Sequence, residues 1–277
     1  MRTIVHLSDI HFGKTDARTI QPLIRAVHQA RPNLVIVSGD LTQRARRQEF
    51  LKARDFLHSL PGPQIVVPGN HDIPIFNPVE RFTRPLGRFK EFILSNLFPF
   101  YEDEEIAVIG INTARSRSTK YGHINKNQLD RIRECLCLVP PDKLKILVTH
   151  HPFDLPEDDS DLRQLVNRAG RAMKILAECH IDILLAGHLH RIFARETAER
   201  YDIEGYSALV VQAGTATSFR SSREQNSFNI LSILHDSISI TRMLWNEQTL
   251  SFEPSAEEQF HRHAEGWEPV SSTSDIS

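Results

Sequence analysis

Leu34-Val35-Ile36-Val37-Ser38-Gly39-Asp40 is the stretch on which the fold turns. Four apolar residues, three of them β-branched, run into a glycine and then a carboxylate. A strand that is apolar on both faces belongs to a sheet covered on both sides, as in α/β proteins. The unit recurs along the chain. Residues 4–7 lead into Asp9-Ile10-His11, and 65–67 into Gly69-Asn70-His71-Asp72. Residues 144–148 lead into Thr149-His150-His151-Pro152, and 183–186 into Gly187-His188-Leu189-His190. Residues 106–111 form a further apolar run, followed by Asn112-Thr113-Ala114-Arg115. Helical patterns at 19–30, 48–60, 127–138 and 161–179 lie between these runs, which predicts an α/β fold with helices on the sheet faces.

After His190 the rhythm changes. Residues 191–197, 207–213, 227–234 and 238–245 read as strands with no helices between them, and predict a second, mainly antiparallel sheet packed on the first. Two stretches depart from the pattern. Residues 73–100, rich in Pro, Phe and Arg, are expected to form an inserted lid or substrate-selecting segment. Here Phe76, Phe82 and Phe89 interleave with Arg81, Arg84, Arg88 and Lys90, a pattern that suits base stacking or, with the edge, helix packing on the core. From 254 to 277 the chain is polar and is expected to be a loose tail anchored by Phe260 or Trp267.

The bulk numbers exclude some classes. Of 277 residues, 40% are hydrophobic and 25% charged, an ordinary globular composition. The formal net charge of -2 provides no strong field toward nucleic acid or anionic membrane. No apolar stretch approaches a membrane span. The N-terminal apolar run is too short for a signal peptide and reads as the first core strand. Cys135, Cys137 and Cys179 are few and odd in number, and suggest buried thiols in a reducing cytoplasm.

The polar clusters define the chemistry. Ligands of open α/β sheets bind beyond the carboxyl ends of the strands, so these five clusters should converge. Carboxylate and imidazole suit Mn, Fe, Zn or Co. A single ion needs three or four ligands, and about twice that number are present, which favours two metals. Each motif alone is weak: Asp-x-His and Gly-Asp are common, and a lone His-x-His is more often surface or core. Five in order, each at a strand end, are far more specific.

With these motifs the sequence resembles the calcineurin-like metallophosphoesterase superfamily, over Asp9 to His190. Ser8-Asp9-Ile10-His11, Gly39-Asp40-Leu41-Thr42 and Gly69-Asn70-His71-Asp72 are most similar to its class III cyclic-nucleotide phosphodiesterase branch. The resemblance implies a four-layer α/β/β/α sandwich with two central mixed sheets, here a single catalytic domain over 1–253. It implies two divalent ions, Mn, Fe or Zn, with Fe(III) admissible at one site. Carried over by motif, Asp9, His11, Asp40 and His190 hold one metal, while Asp40, Asn70, His150 and His188 hold the other. A metal-bridging hydroxide would then attack phosphorus. His71 becomes the general acid or charge stabiliser, and Asp72 orients its ring.

The remaining candidates are weaker. His151 is placed in the pocket lining or behind the ligands, and Arg115 against substrate phosphate. His6 reads as a hydrogen-bonded core residue. His28, His58, His180 and His235 read as structural or surface residues, as does His261-x-His263 in the expected tail. The functional expectation is a phosphodiesterase acting on a small molecule, with 3′,5′-cyclic nucleotides as one substrate class. The alternatives are hydrolysis of a nucleotide-sugar lipid or other pyrophosphate, a glycerophosphodiester, a nuclease disfavoured by charge, and a metal-free scaffold disfavoured by the complete ligand set. A homodimer follows only by analogy.

Overall fold

The computed structural model describes residues 1–218, 225–234 and 236–270; His235 and residues 271–277 of the expected tail lie outside them. All six strands expected of the α/β half are present: β1 (Arg2–Leu7), β2 (Leu34–Val37), β3 (Gln64–Val66), β5 (Ile106–Gly110), β6 (Leu144–Val148) and β7 (Ile183–Ala186). Helices α1 (Ala17–Ala30), α2 (Arg47–Ser59), α5 (Lys126–Ile132) and α6 (Ala169–Glu178) lie between them. Two short helices, α3 (Pro78–Thr83) and α4 (Gly87–Phe92), precede β4 (Phe100–Glu102). The last strands are β8 (Phe193–Glu196), β9 (Leu209–Gln212), β10 (Ser227–Leu234), β11 (Ser237–Asn246), β12 (Ser251–Arg262) and β13 (Trp267–Pro269).

These strands form two mixed sheets, ordered β13-β12-β11-β10-β1-β2-β3 and β4-β5-β6-β7-β9-β8. The late strands therefore do not make a sheet of their own, contrary to the expectation above. β10 pairs antiparallel to β1, and β9 pairs parallel to β7, so each late group extends an early one. Local periodicity identifies a strand but carries no information about its partner.

Alternation along each strand builds the layers. Ile4, Leu34, Ile36, Ile106, Val108 and Ile146 share one buried cluster between the sheets. Their neighbours Val5, Val35 and Val37 pack with Leu23, Val27, Phe50 and Phe56 of α1 and α2. Ala107, Ile109 and Leu147 pack with Leu129 and Ile132 of α5 and with Met173 and Leu176 of α6. Three apolar interfaces between four layers are the α/β/β/α sandwich, and they explain strands without a polar face.

Three expectations need correction. Residues 254–262 are not a loose tail but continue β12, paired along β11, with Phe260 and Trp267 buried in the inter-sheet core. The strand was hidden because 254–257 are exposed and carry no large apolar side chain, and because Pro254 sits at a register shift, one of the few strand positions that tolerates proline. Cys137 and Cys179 are joined by a disulfide across 42 positions, so only Cys135 is a free thiol. That pairing depends on where the segment after α5 meets the end of α6, and no local pattern reports it. The helix expected over 161–179 starts only at Ala169, after a 3-10 turn at Leu162–Gln164.

Candidate metal centre

Beyond β1 and β2 the two loops stay paired: the amides of Asp9 and His11 donate to the carbonyls of Gly39 and Asp40 at 3.1 and 2.9 Å. Beyond β6 and β7, the Gly187 amide donates to the His150 carbonyl at 3.1 Å. The two sheets are joined through Asp9, whose Oδ2 accepts from the Ser8 hydroxyl at 2.6 Å and from the His188 amide at 3.0 Å. Asp40 Oδ1 accepts the His71 amide at 2.8 Å.

These contacts bring the seven expected ligand residues into one cluster. Ligand-capable atoms of Asp9, His11 and His190 lie within 4.8 Å of one another, as do those of Asp9, Asp40 and His150. Asp40 faces both ways: Oδ2 is 3.7 Å from His11 Nε2, and Oδ1 is 3.4 Å from His150 Nε2. Asn70 donates its amide to the Thr119 carbonyl, which leaves Oδ1 facing His150 Nε2 at 3.1 Å. His150 donates from Nδ1 to the Ser38 carbonyl at 2.8 Å, so its Nε2 faces into the cluster, where it would offer its lone pair once a metal displaces the proton. The His188 ring stands 5.1 Å from that of His150.

Local backbone marks the same residues. Asp9, His11, Asp40, His188 and His190 all have φ between 51° and 75°, half of the ten non-glycine residues in the left-handed region among the described residues. Such a concentration of strained conformations is typical of a functional site. Gly39 itself turns through φ +99°, but Gly69 and Gly187 are glycines for lack of room. A Cβ on Gly69 would stand 2.1 Å from Asp40 Oδ1, and one on Gly187 1.8 Å from Ser8 Oγ.

The donor set fits metal ions. Asp9 Oδ1 and both ring nitrogens of His11 are buried with no hydrogen-bond partner, an expensive arrangement unless a cation fills the space between them. Burial raises the Asp40 pKa, but His150, His71 and His11 outweigh it and hold the carboxyl well below its usual range. Asp9 is likewise low, because His190 and His11 outweigh its burial. His150 is pushed up to about 9, since Asp40 more than offsets desolvation. His188 falls to about 3 through burial and the nearby His150. Without metal, then, the cluster is held by ionised carboxylates beside a protonated His150.

Three side chains sit differently from expectation. Asp72 does not orient the His71 ring. It accepts from the amides of Leu41, Thr42 and Gly69 and from the Thr42 hydroxyl, and so ties the β2 loop to the β3 loop. The His71 ring is set instead by Gln43, whose carbonyl accepts from Nδ1 at 2.9 Å. His151 is not available to substrate: it is fully buried, with Nδ1 against Thr113 Oγ1 and Nε2 donating to the Lys120 carbonyl. It also lies within 4.8 Å of His150 and His188, but with both nitrogens engaged it supports the site from behind. Arg115 has no hydrogen bond or ion pair to any of the seven residues and lines a separate cleft. His6 is buried and bonded to Ser38 Oγ at 2.9 Å, the core role expected of it.

Several supporting residues escaped sequence reasoning. Ser8 and Ser38 directly precede motif residues and could have been suspected. Thr215, which bonds His190 Nδ1, and the 119–122 segment behind Asn70 and His151 carry no recognisable pattern. In the 73–100 insertion, Phe89 is buried and Arg81 donates to the carbonyls of Pro74, Ser116 and Ser118, while Phe76 and Phe82 stay exposed.

The sequence model of the calcineurin-like phosphoesterases matches residues 2–191. The chain belongs to the calcineurin-like phosphoesterase family. It is a phosphoester hydrolase, from a family that uses divalent metals. It is 21% identical over 264 residues to the 3′,5′-cyclic-nucleotide phosphodiesterase alr5338 of Nostoc, covering 91% of this chain and 96% of that one. It is 27% identical over 164 residues to the probable glycerophosphodiester phosphodiesterase GpdQ of Arcobacter nitrofigilis, covering 58% of each. A solved purple acid phosphatase from yellow lupin superposes with a TM-score of 0.69 at 11% identity, over 93% of this chain and 53% of that one, a likeness of fold alone. No helix among the described residues is long and apolar enough to cross a membrane.

Proposed function

We propose that this calcineurin-like phosphoesterase is a two-metal phosphodiesterase whose substrates include 3′,5′-cyclic nucleotides. The observation that carries the reading is Asp40, whose two oxygens face His11 on one side and His150 on the other. One ion would be held by Asp9, His11, Asp40 and His190, the other by Asp40, Asn70, His150 and His188. When bound, the pair supplies a water acidified enough to attack at neutral pH and neutralises phosphate charge. Mn, Fe and Zn all suit this donor set, and Fe(III) is admissible at one site.

The chain's own residues do the rest. Ser38 and Thr215 hold the His150 and His190 rings in place. Asp72 fixes the two loops that carry Asp40 and Asn70. His71 Nε2 stands 4.0 Å from Asp40 Oδ2 at the edge of the cluster, where it would protonate the leaving oxygen. A cyclic nucleotide suits the full-length match to the Nostoc enzyme. The Arcobacter relative supports a glycerophosphodiester as the second reading.

The net charge of -2 argues against nucleic acid as substrate. A cytoplasmic location is a further expectation, and the Cys137–Cys179 disulfide removes the cysteine argument for it. Homodimerisation carries over from the resemblance and is tested by the mass in solution. The substrate reading is tested by comparing kcat/KM on cyclic AMP, glycerophosphocholine, p-nitrophenyl phosphate and double-stranded DNA. Cyclic AMP should lead; monoester turnover above diester turnover would overturn the phosphodiesterase reading.

A further inference from the structure

Tyr121 and the start of α6 line a cleft of about 580 Å³ that contains none of the seven expected ligand residues and is within the size range of small-molecule sites. Four arginines line it, Arg115, Arg163, Arg168 and Arg200, and no Asp or Glu does. Two of the four are neutralised from outside the lining: Arg163 by Asp161 and Arg200 by Asp154. The side chains of Arg115 and Arg168 have no hydrogen-bond or ion-pair partner among the described residues, and Arg115 Nε is buried without one. Arg168 is exposed to solvent, but a guanidinium nitrogen buried without a partner, as Arg115 Nε is, is unusual and marks where an anion would be held.

The same positive field is felt by a neighbour. His123 is shifted below its usual pKa by burial and then by Arg115 and Arg168. Gly170, in the first turn of α6, meets nothing within 4 Å where a Cβ would stand, so this wall is open to a ligand. Apart from Asn167 the remaining lining is apolar or aromatic. Leu162 is 60% exposed here, and Tyr121 and Tyr201 line the cleft with it.

We propose that this cleft is a second binding site, separate from the metal centre, for a phosphomonoester with an apolar or flat body. The charge matches: two uncompensated guanidinium groups face a group that carries close to two negative charges near neutral pH. The planar fork of each arginine suits phosphate oxygens, and the tyrosines and Leu162 suit an attached base or acyl group. The site does not depend on the diesterase reading. Its position is nonetheless consequential, because Asn70 and His151 bond the carbonyls of Thr119 and Lys120, next in sequence to Tyr121 of the lining.

The test is calorimetric titration of the full chain, stripped of metal with chelator so that the metal centre cannot take phosphate. The probes are AMP, inorganic phosphate and adenosine. AMP should bind one per chain, at least about tenfold more tightly than either phosphate or adenosine alone, because both halves of the site are used. The double variant Arg115→Ala/Arg168→Ala should weaken AMP by about a hundredfold, with an unchanged melting temperature, since neither side chain holds a structural bond. The variant His188→Ala should bind AMP as the wild type does. Absence of AMP binding to the stripped protein would overturn the proposal. So would equal affinity in the double variant, or loss of binding in His188→Ala, which would place AMP at the metal centre.

Discussion

Replacing His71 with alanine separates chemistry from metal binding. Truncation removes the imidazole but leaves the residue-71 amide, which bonds Asp40 Oδ1 at 2.8 Å. None of the seven proposed ligand side chains is deleted, so both ions should remain. The loss falls on proton delivery. The Gln43 carbonyl accepts from Nδ1 at 2.9 Å and so aims Nε2 toward the cluster, ready to serve a leaving oxygen. A positioned general acid contributes about 10²- to 10⁴-fold. At the lower end, two decades correspond to about 2.7 kcal/mol of barrier. That loss should appear on cyclic AMP, whose alkoxide must be protonated as it leaves. On bis(p-nitrophenyl) phosphate, whose phenolate departs without a proton, the loss should shrink to under about tenfold. The assay is kcat/KM on both substrates together with metal content of the same preparation. Equal losses on the two substrates would refute the acid role. Loss of an ion would show that His71 holds metal.

Two further predictions test packing and charge. Gly69→Ala should lower stability by about 1–3 kcal/mol and reduce turnover, because the new Cβ would stand 2.4 Å from the Asp40 backbone nitrogen, which cannot swing aside; unchanged melting and turnover would contradict the close approach of these loops. Burial raises the Asp103 pKa, but bonds from the Glu105 and Ile106 amides and the Tyr101 hydroxyl, with the Arg2 charge, outweigh it and leave it depressed. Its stabilisation should therefore be full above about pH 4 and fall away as the pH drops through the folded-state value. Urea unfolding of wild type and Asp103→Asn should converge at acid pH; a gap that widens there would reverse the sign.

Much of the fold followed from short-range pattern because the strands are buried on both faces. Val35 and Ile36 point to different layers, yet both must be apolar, so the run is visible without knowing which layer each joins. What pattern could not supply was partnership. Nothing in Phe228 or Leu231 says that β10 pairs with β1, and nothing in Cys137 says that it meets Cys179. β12 was hidden for the opposite reason: its exposed middle contributes backbone bonds rather than apolar side chains.

The site divides the same way. Asp9, Asp40, Asn70 and His188 stand in compact motifs, because a ligand must follow its strand directly to reach the cluster. Asp72 was correctly placed but given the wrong partner, since orientation depends on loops far apart in sequence. For His151 the sequence left pocket lining and support behind the ligands open, and Thr113 and Lys120, which occupy both its nitrogens, decide for support.

Metal stoichiometry measured alongside turnover tests the central claim most directly. Chelator-stripped protein is reconstituted with manganese, then assayed for bound metal and for hydrolysis of a phosphodiester, in wild type and in Asp40→Asn. Two ions per chain should return with diester hydrolysis in the wild type, and both should fall in the variant. A single ion at full activity, or an Asp40→Asn protein that keeps two ions and wild-type turnover, would contradict a centre bridged by Asp40.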